Sequence, residues 1–362
     1  MRASRQSAKL FDAGSDCVCG YVKAAAASGL VPFILARGAD ADLVLGEAGL
    51  NERLFDHPEA DIPLARYVAM MEAAALRTGD SLFGLRFGLQ FPPAAHGPIG
   101  QLALAAPSIG AGLRAFMDFF PLHQNDTETA LVNEAGRLRM EYRILDARIW
   151  NRRQDAELTI GMLANLLRHA SDGELTIEEI CFEHPAGEHR RDYERMLGAP
   201  VFFSARTNAI TLRGRGLTRP MPRADSRKFV ALAEQLRAGM RNARHAGIQS
   251  AVCSEIRRLL PEGYPSVEQV AENLGLARWT LQRRLARHEI TFSQCVELVR
   301  ARLATLYLAQ SPLSIGDVSD LLGYSEISAF SRAFRRWHGT APEHFRKVQK
   351  AARPQQNEID EA

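Results

Sequence analysis

Trp279, Gln282 and Arg283 form one group of side chains with the chemistry to recognise a polar, flat-edged partner, and Ser328, Ser331, Arg332 and Arg335 form a second. With Leu281 as the inward reference and about 100° per residue, Leu285 falls beside it, Trp279 and Arg283 point away, and Gln282 projects sideways. In the later stretch Phe330, Phe334 and Trp337 share a buried side, and the two serines and two arginines face outward. Arginine grips guanine O6 and N7 with two bonds, glutamine does the same to adenine, and hydroxyls accept or donate, so both outward sets suit the base edges of double-stranded DNA. An outward tryptophan needs a partner surface, which a thymine methyl or a sugar edge supplies. Arg287, Arg335, Arg336 and Arg346 fit phosphate contact and simple solubility equally well.

The elements that must position these residues are written twice. Ser266-Val-Glu-Gln-Val-Ala-Glu-Asn-Leu-Gly is followed 48 residues later by Ser314-Ile-Gly-Asp-Val-Ser-Asp-Leu-Leu-Gly. In each copy a serine precedes an amide or acid three positions on, which predicts an N-cap, and apolar residues follow at helical spacing. Gly275 and Gly323 end these helices, because glycine takes the left-handed conformation cheaply and lets a second helix start within a few residues. The pattern predicts two helix-turn-helix units.

The run Gly323-Tyr-Ser-Glu-Ile-Ser-Ala-Phe-Ser-Arg-Ala-Phe-Arg-Arg-Trp-His-Gly-Thr-Ala-Pro-Glu-His-Phe-Arg346 resembles the signature of the AraC/XylS family of bacterial transcription regulators, and the likeness extends from about 248 to 349. It implies that a long helix, here Ser293 to Gln310, joins the two units, with Leu298, Arg300, Ala304 and Leu308 at its characteristic positions. It also implies base-reading roles for Trp279, Gln282 and Arg283, and for Ile327, Ser328, Ser331 and Arg332. Ile327 lies toward the flank of the wheel, where packing competes with base contact. Ala277 stands where the family usually has a capping serine, so that helix start is expected to be weaker by about 1 kcal/mol.

The length of 362 residues predicts two domains, and 46% hydrophobic with 24% charged residues excludes a fibre or a disordered chain. A net charge of +3 is modest, but residues 248–350 hold fourteen Lys/Arg against ten Asp/Glu, and phosphate contact depends on a local basic face. The expected division is a flexible tail at 1–16, an α+β sensing and dimerisation domain at 17–223, a linker helix at 224–247, an all-α double helix-turn-helix domain at 248–350 and a disordered tail at 351–362. Within the first domain, helices are expected at Val18–Ala27, Val31–Arg37, Asp42–Gly49 and Leu64–Arg77, then at Asp80–Leu89, Ile99–Ala106 and Gly110–His123. The two prolines in Phe91–Pro98 predict an irregular loop. A hairpin is expected over Thr127–Val132 and Arg137–Leu145, then an amphipathic helix at Arg152–Ala170. Strands at Ile177–Phe182, Val201–Phe203 and Ala209–Leu212 enclose a helix at Glu188–Leu197.

Gly97-Pro-Ile-Gly-Gln-Leu-Ala-Leu-Ala-Ala-Pro-Ser and Leu197-Gly-Ala-Pro-Val-Phe-Phe, with Asn208-Ala-Ile-Thr-Leu, resemble the arabinose-binding-like N-terminal domain of ornithine-utilisation-type AraC regulators over roughly residues 25–223. That likeness implies a domain that senses a small molecule, an amino acid or related metabolite, and self-associates into a homodimer. His96 and His123 are its candidate ligand contacts, against the plainer reading of packed histidines.

Five cysteines, Cys17, Cys19, Cys181, Cys253 and Cys295, are odd in number and scattered, which fits a reducing compartment rather than a disulfide framework. Cys17 and Cys19 have no histidine cluster of zinc spacing nearby, so no metal site is expected. No nucleophile elbow, phosphate-binding glycine loop or paired carboxylates stand out, so neither catalysis nor a cofactor is expected. No apolar run is long enough to span a bilayer and no signal core opens the chain, so a cytoplasmic protein is expected. The expected function is a ligand-responsive activator that contacts double-stranded DNA and RNA polymerase. Alternatives are a ligand-independent dimeric regulator and a repair-type enzyme fused to a DNA-binding module.

Overall fold

The computed structural model describes residues 20–352, apart from 135, 147, 148, 150, 172–174, 188, 214, 215, 247, 311 and 312. The tail expected at 1–16, Cys17 and Cys19, and residues 353–362 of the tail expected at 351–362 lie outside the described residues, while 351 and 352 continue the last helix instead of belonging to a disordered tail. The chain divides into two compact units at Arg241/Asn242.

The first unit is α+β and opens with a strand where a helix is expected. β1 (Tyr21–Lys23) pairs antiparallel with β2 (Asp61–Pro63), setting Val22 opposite Ile62, both fully buried. Ala24–Ala27 then makes only a 3-10 turn. Ala24 N–H donates to Ala60 O at 2.8 Å and Ala25 N–H to Pro58 O at 2.9 Å. Donors committed to a distant segment cannot bond to carbonyls one turn earlier in the chain, so tertiary pairing overrides alanine's helical preference; Val18 and Cys19 of the expected helix lie outside the described residues.

Helices α1 (Leu30–Leu35), α2 (Ala41–Glu47), α3 (Leu64–Thr78) and α4 (Phe83–Gln90) follow close to their expected places. Asp40 caps α2 by accepting from Asp42 and Leu43 N–H. The segment expected to be irregular contains a 3-10 turn at Pro93–His96, with Pro93 in the first turn, where the N–H it lacks would have no partner. Helices α5 (Pro98–Ala105) and α6 (Ile109–Phe119) complete this layer.

A sheet comes next, built from β3 (Thr127–Glu134), β4 (Arg137–Ile144), β5 (Ile177–Cys181), β6 (Val201–Phe202) and β7 (Asn208–Arg213) in the order β3-β4-β7-β5-β6. Only β5 and β6 are parallel. Met140 opposes Ile210, which opposes Ile180 on the other side, and all three are fully buried.

The helix α7 (Arg153–Ser171) departs most from expectation, because it is buried nearly all round rather than along one stripe. It contacts β4 and β7, while α4 lies against it more extensively than any other element. Three glycines permit that approach. A Cβ at Gly84 would lie 2.1 Å from Gln154 O, one at Gly88 2.3 Å from Leu158 O, and one at Gly161 2.9 Å from Leu85 O. Several of its polar groups are satisfied internally. Gln154 accepts from Gly84 N–H at 2.7 Å, Glu72 accepts from Gln154 N–H at 2.8 Å, and Asn165 donates to Phe91 O at 2.7 Å. Burial nonetheless pushes the Glu72 carboxyl up to about 7 and that of Glu157 up to about 6. Helix α8 (Arg190–Leu197) precedes β6, and α9 (Ser226–Ala246) places Ala233 and Leu236 in the same core.

The second unit is helical throughout its described residues. It comprises α10 (Ile248–Leu259), α11 (Val267–Asn273), α12 (Arg278–Ala286), α13 (Phe292–Gln310), α14 (Ile315–Leu321), α15 (Ile327–His338) and α16 (Pro342–Ala352). The central α13 packs on α10 and α16. A capping pair the sequence reading did not pick out starts it: Thr291 N–H donates to Gln294 Oε1 at 2.7 Å, and Gln294 N–H donates to Thr291 Oγ1 at 3.2 Å. Among the described residues, no helix is long and apolar enough to cross a membrane.

Candidate nucleic-acid interface

Both serine-led helices begin as their sequences predict. Ser266 and Gln269 form a reciprocal capping box at α11, and Ser314 and Asp317 form one at α14. Both helices end at a glycine with φ of +66°, Gly275 and Gly323. The two turns differ in their surroundings. A Cβ at Gly275 would meet nothing within 4 Å, whereas one at Gly323 would stand 2.7 Å from the carbonyl oxygens of Leu260 and Gly263. The second turn is therefore pressed onto the backbone that follows α10, and only hydrogen fits there.

Helix α12 buries Leu281 and Leu285 and exposes Trp279, Gln282, Arg283 and Arg287. Trp279 is 61% exposed, and the Arg283 guanidinium stands 4.6 Å from its ring centroid. The cation–π contact pre-orients the arginine, lowering the entropy it loses on meeting a base. Ala277 makes no side-chain cap at the start of α12, as expected from its methyl. Arg278 ties that end back to α11 through a 2.6 Å ion pair with Glu268.

Helix α15 buries Phe330, Ala333, Phe334 and Trp337. Ser328, Arg332, Arg335 and Arg336 are exposed, and Ser331 is half-buried. Ile327 is 51% exposed, so its side chain is not packed away as its flanking position could have allowed. Ser328 Oγ donates to Glu326 Oε2 at 2.9 Å, leaving the hydroxyl's lone pairs to accept from a partner. Arg336 is engaged by Glu297 of α13, which also accepts from Trp337 Nε1 at 2.9 Å. A guanidinium held this way serves the α13–α15 junction, so Arg332 and Arg335 are the more available cations on this face.

Arg300, placed by sequence on the connecting helix, does more than pack. It is 5% exposed, and its Nε and Nη2 donate to Leu322 O at 2.8 Å and Gly323 O at 2.7 Å. These carbonyls close α14, so one buried fork caps that helix and fixes the turn leading to α15. The guanidinium also lies 4.0 Å from the Tyr324 ring centroid and 5.0 Å from that of Tyr264. The family resemblance marked the position of Arg300 on this helix, but no local sequence signal pointed to the capping role.

In the first unit His96 and His123 are both buried, with ring centroids 5.4 Å apart. Burial keeps both imidazoles neutral, His96 well below its ordinary value and His123 down to about 4. Cys181, Cys253 and Cys295 are buried thiols, and burial pushes Cys181 up, away from the reactive thiolate.

Comparison with known proteins places this geometry. Residues 38–221 match the arabinose-binding N-terminal domain of AraC transcription regulators, and residues 248–348 match a helix-turn-helix domain. The chain is 29% identical over 303 residues to the HTH-type transcriptional regulator VirS of Mycobacterium tuberculosis, covering 81% of this chain and 89% of that one. It is 24% identical over 332 residues to the ornithine utilization regulator of Pseudomonas aeruginosa, covering 90% and 96%. The crystal structure of the transcriptional regulator CdpR from Pseudomonas aeruginosa aligns with a TM-score of 0.41 at 23% identity, covering 87% of this chain and 98% of that one. With the first family match alone spanning half of the sequence and two capped helix-turn-helix units following it, the chain belongs to the AraC family of DNA-binding transcription regulators.

Proposed function

We propose that this regulator reads one DNA site with both recognition helices, α12 and α15, each in one of two successive major grooves on the same face. The half-site repeats would then lie about 34–36 Å apart. The observation that carries this reading is the recurrence of an exposed Arg/Gln/Ser face behind the same capped helix and glycine turn, with one continuous helix between the copies. Trp279, Gln282 and Arg283 read the first groove, and Ser328, Ser331 and Arg332 the second, with Ile327 at its edge. Arg287 and Arg335 lie where phosphates would pass, and Arg336 would reach one only by giving up Glu297.

The first unit senses a small molecule of the amino-acid or related-metabolite class and joins two chains into a dimer. Ligand binding biases that unit between arrangements, and the output is activation through RNA polymerase, in the cytoplasm. The buried, unactivated thiol of Cys181 supports a regulator over a repair-type enzyme.

On DNA obtained by in vitro selection, Arg283→Ala and Arg332→Ala are each expected to cost roughly 1–3 kcal/mol and to relax base preference in their own half-site. Binding to random DNA should change much less. Equal losses on selected and random DNA would show that these arginines hold phosphate rather than read bases.

A further inference from the structure

The first unit encloses a cavity of about 10 Å³ between α7, the 3-10 turn at Pro93–His96 and the segment after α6. Its polar wall is Tyr67, His96, His123, Gln124, Asp155 and Thr159, and Phe116, Phe120 and Met162 supply much of the apolar wall. Most of that polarity is already spent. Tyr67 Oη donates to Ala26 O at 3.2 Å, Gln124 Nε2 donates to Tyr142 Oη at 2.6 Å, and Tyr142 Oη donates to Asp155 Oδ2 at 2.6 Å.

Two buried atoms stand outside this chain of bonds. Asp155, 1% exposed, leaves Oδ1 without a hydrogen-bond partner, and His96, 3% exposed, leaves Nδ1 without one. An orphaned buried acceptor of this kind costs about 1–3 kcal/mol, more when charged, so a fold that keeps one needs a compensating partner for it. The Tyr142–Gln124 relay meanwhile holds the carboxylate in a fixed orientation, with its second oxygen committed.

The charge of the wall decides what that partner is. Among the described residues Asp155 is its only acid and no lysine or arginine lines it, and burial keeps the two histidines neutral. Arg152, the cation whose charge reaches Asp155, is itself held by Glu183 at 2.9 Å and by Ile144 O at 2.7 Å. A ligand carboxylate would find no cation here, whereas an ammonium would meet an oriented acceptor in a low-dielectric surrounding.

We infer that this cavity is the sensor's effector site and that it takes a compact primary amine, its ammonium on Asp155 Oδ1 and its short hydrocarbon body against Phe116, Phe120 and Met162. The assignment rests on the reading that the first unit senses a small molecule. It also supplies a route from binding to response. A volume near 10 Å³ matches about one water molecule, so any larger amine enters only by moving the wall. Met162, the adaptable thioether on α7, is the side chain best suited to yield. Movement there reaches the helix at the centre of the unit, so occupancy and conformation are coupled.

The test is thermal unfolding of the full chain with 1-aminobutane and 1,4-diaminobutane, against butanoate and 1-butanol as matched anion and neutral probes. A saturating amine should raise the midpoint by about 3 °C or more, while butanoate and butanol leave it unmoved. Asp155→Asn, which can still accept from Tyr142, should abolish the amine shift. The comparison between probe classes is made on the unaltered chain, so it stands whether or not the variant folds. An amine shift that survives Asp155→Asn would overturn the site. A parallel panel of sugars, carboxylates and amino acids separates the remaining failures: a shift from that panel alone overturns the amine assignment and leaves the sensor, and no shift from any compound overturns both.

Discussion

Gly88→Ala should destabilise the first unit by about 3 kcal/mol, although alanine is the better helix former. In an open helix the same exchange gains about 1 kcal/mol. Here the added Cβ would stand 2.3 Å from Leu158 O and 3.0 Å from Met162 N, both backbone atoms of a helix buried nearly all round. Neither atom can turn aside, so α4 and α7 must separate, and the packing lost extends along their whole contact. Gly46→Ala in α2 is the matched control, since its Cβ meets nothing within 4 Å, and it should stabilise by up to about 1 kcal/mol. Urea unfolding of the full chain, with hydrogen exchange of the α4 and α7 amides to assign the transition, measures both. A Gly88→Ala protein as stable as Gly46→Ala would mean that the two helices are not in backbone contact.

Arg300→Leu is expected to cost the second unit about 2–4 kcal/mol. Leucine fills part of the volume but leaves the carbonyls of Leu322 and Gly323 without the donors that now stand 2.8 and 2.7 Å away. It also removes the cation stacked between Tyr264 and Tyr324. Lysine restores the charge without the planar fork, so Arg300→Lys should recover less than half of the loss. The functional consequence is directional. The turn at Gly323 leads into α15, so protection of the second half-site in a footprint should fade before that of the first. Full recovery by lysine would show that charge alone matters, and equal fading at both half-sites would separate Arg300 from the placement of α15.

What could be read in advance depended on how local its cause is. The capping boxes at Ser266 and Ser314, the turns at Gly275 and Gly323, and the buried sides marked by Leu281 and Phe334 depend on neighbours within one or two helical turns, and each appears as expected. Ala24–Ala27 read as helix because four alanines favour it, yet its amides bond to Pro58 and Ala60, partners no short window contains. Nothing within the expected helix at Asp80–Leu89 explains Gly84 and Gly88, whose purpose exists only once α7 lies against them. Asp155 was hidden for a similar reason. Polar residues near the start of α7 suggested a solvated stripe, and only the enclosing helices and sheet show that this carboxylate is inside. The resemblance marked Arg300 as a position of the connecting helix, but its carbonyl partners lie 22 and 23 residues further along the chain, so its role could not be read locally.

The reading that two recognition helices of one chain occupy successive grooves is tested most directly by spacing. The full chain is bound to a selected operator and to the same operator with five base pairs inserted between its half-sites, a change of half a helical turn. With α13 setting the separation, one helix must release, and affinity should fall on the order of 100-fold, toward that of a single half-site. Undiminished affinity for the lengthened operator would contradict it.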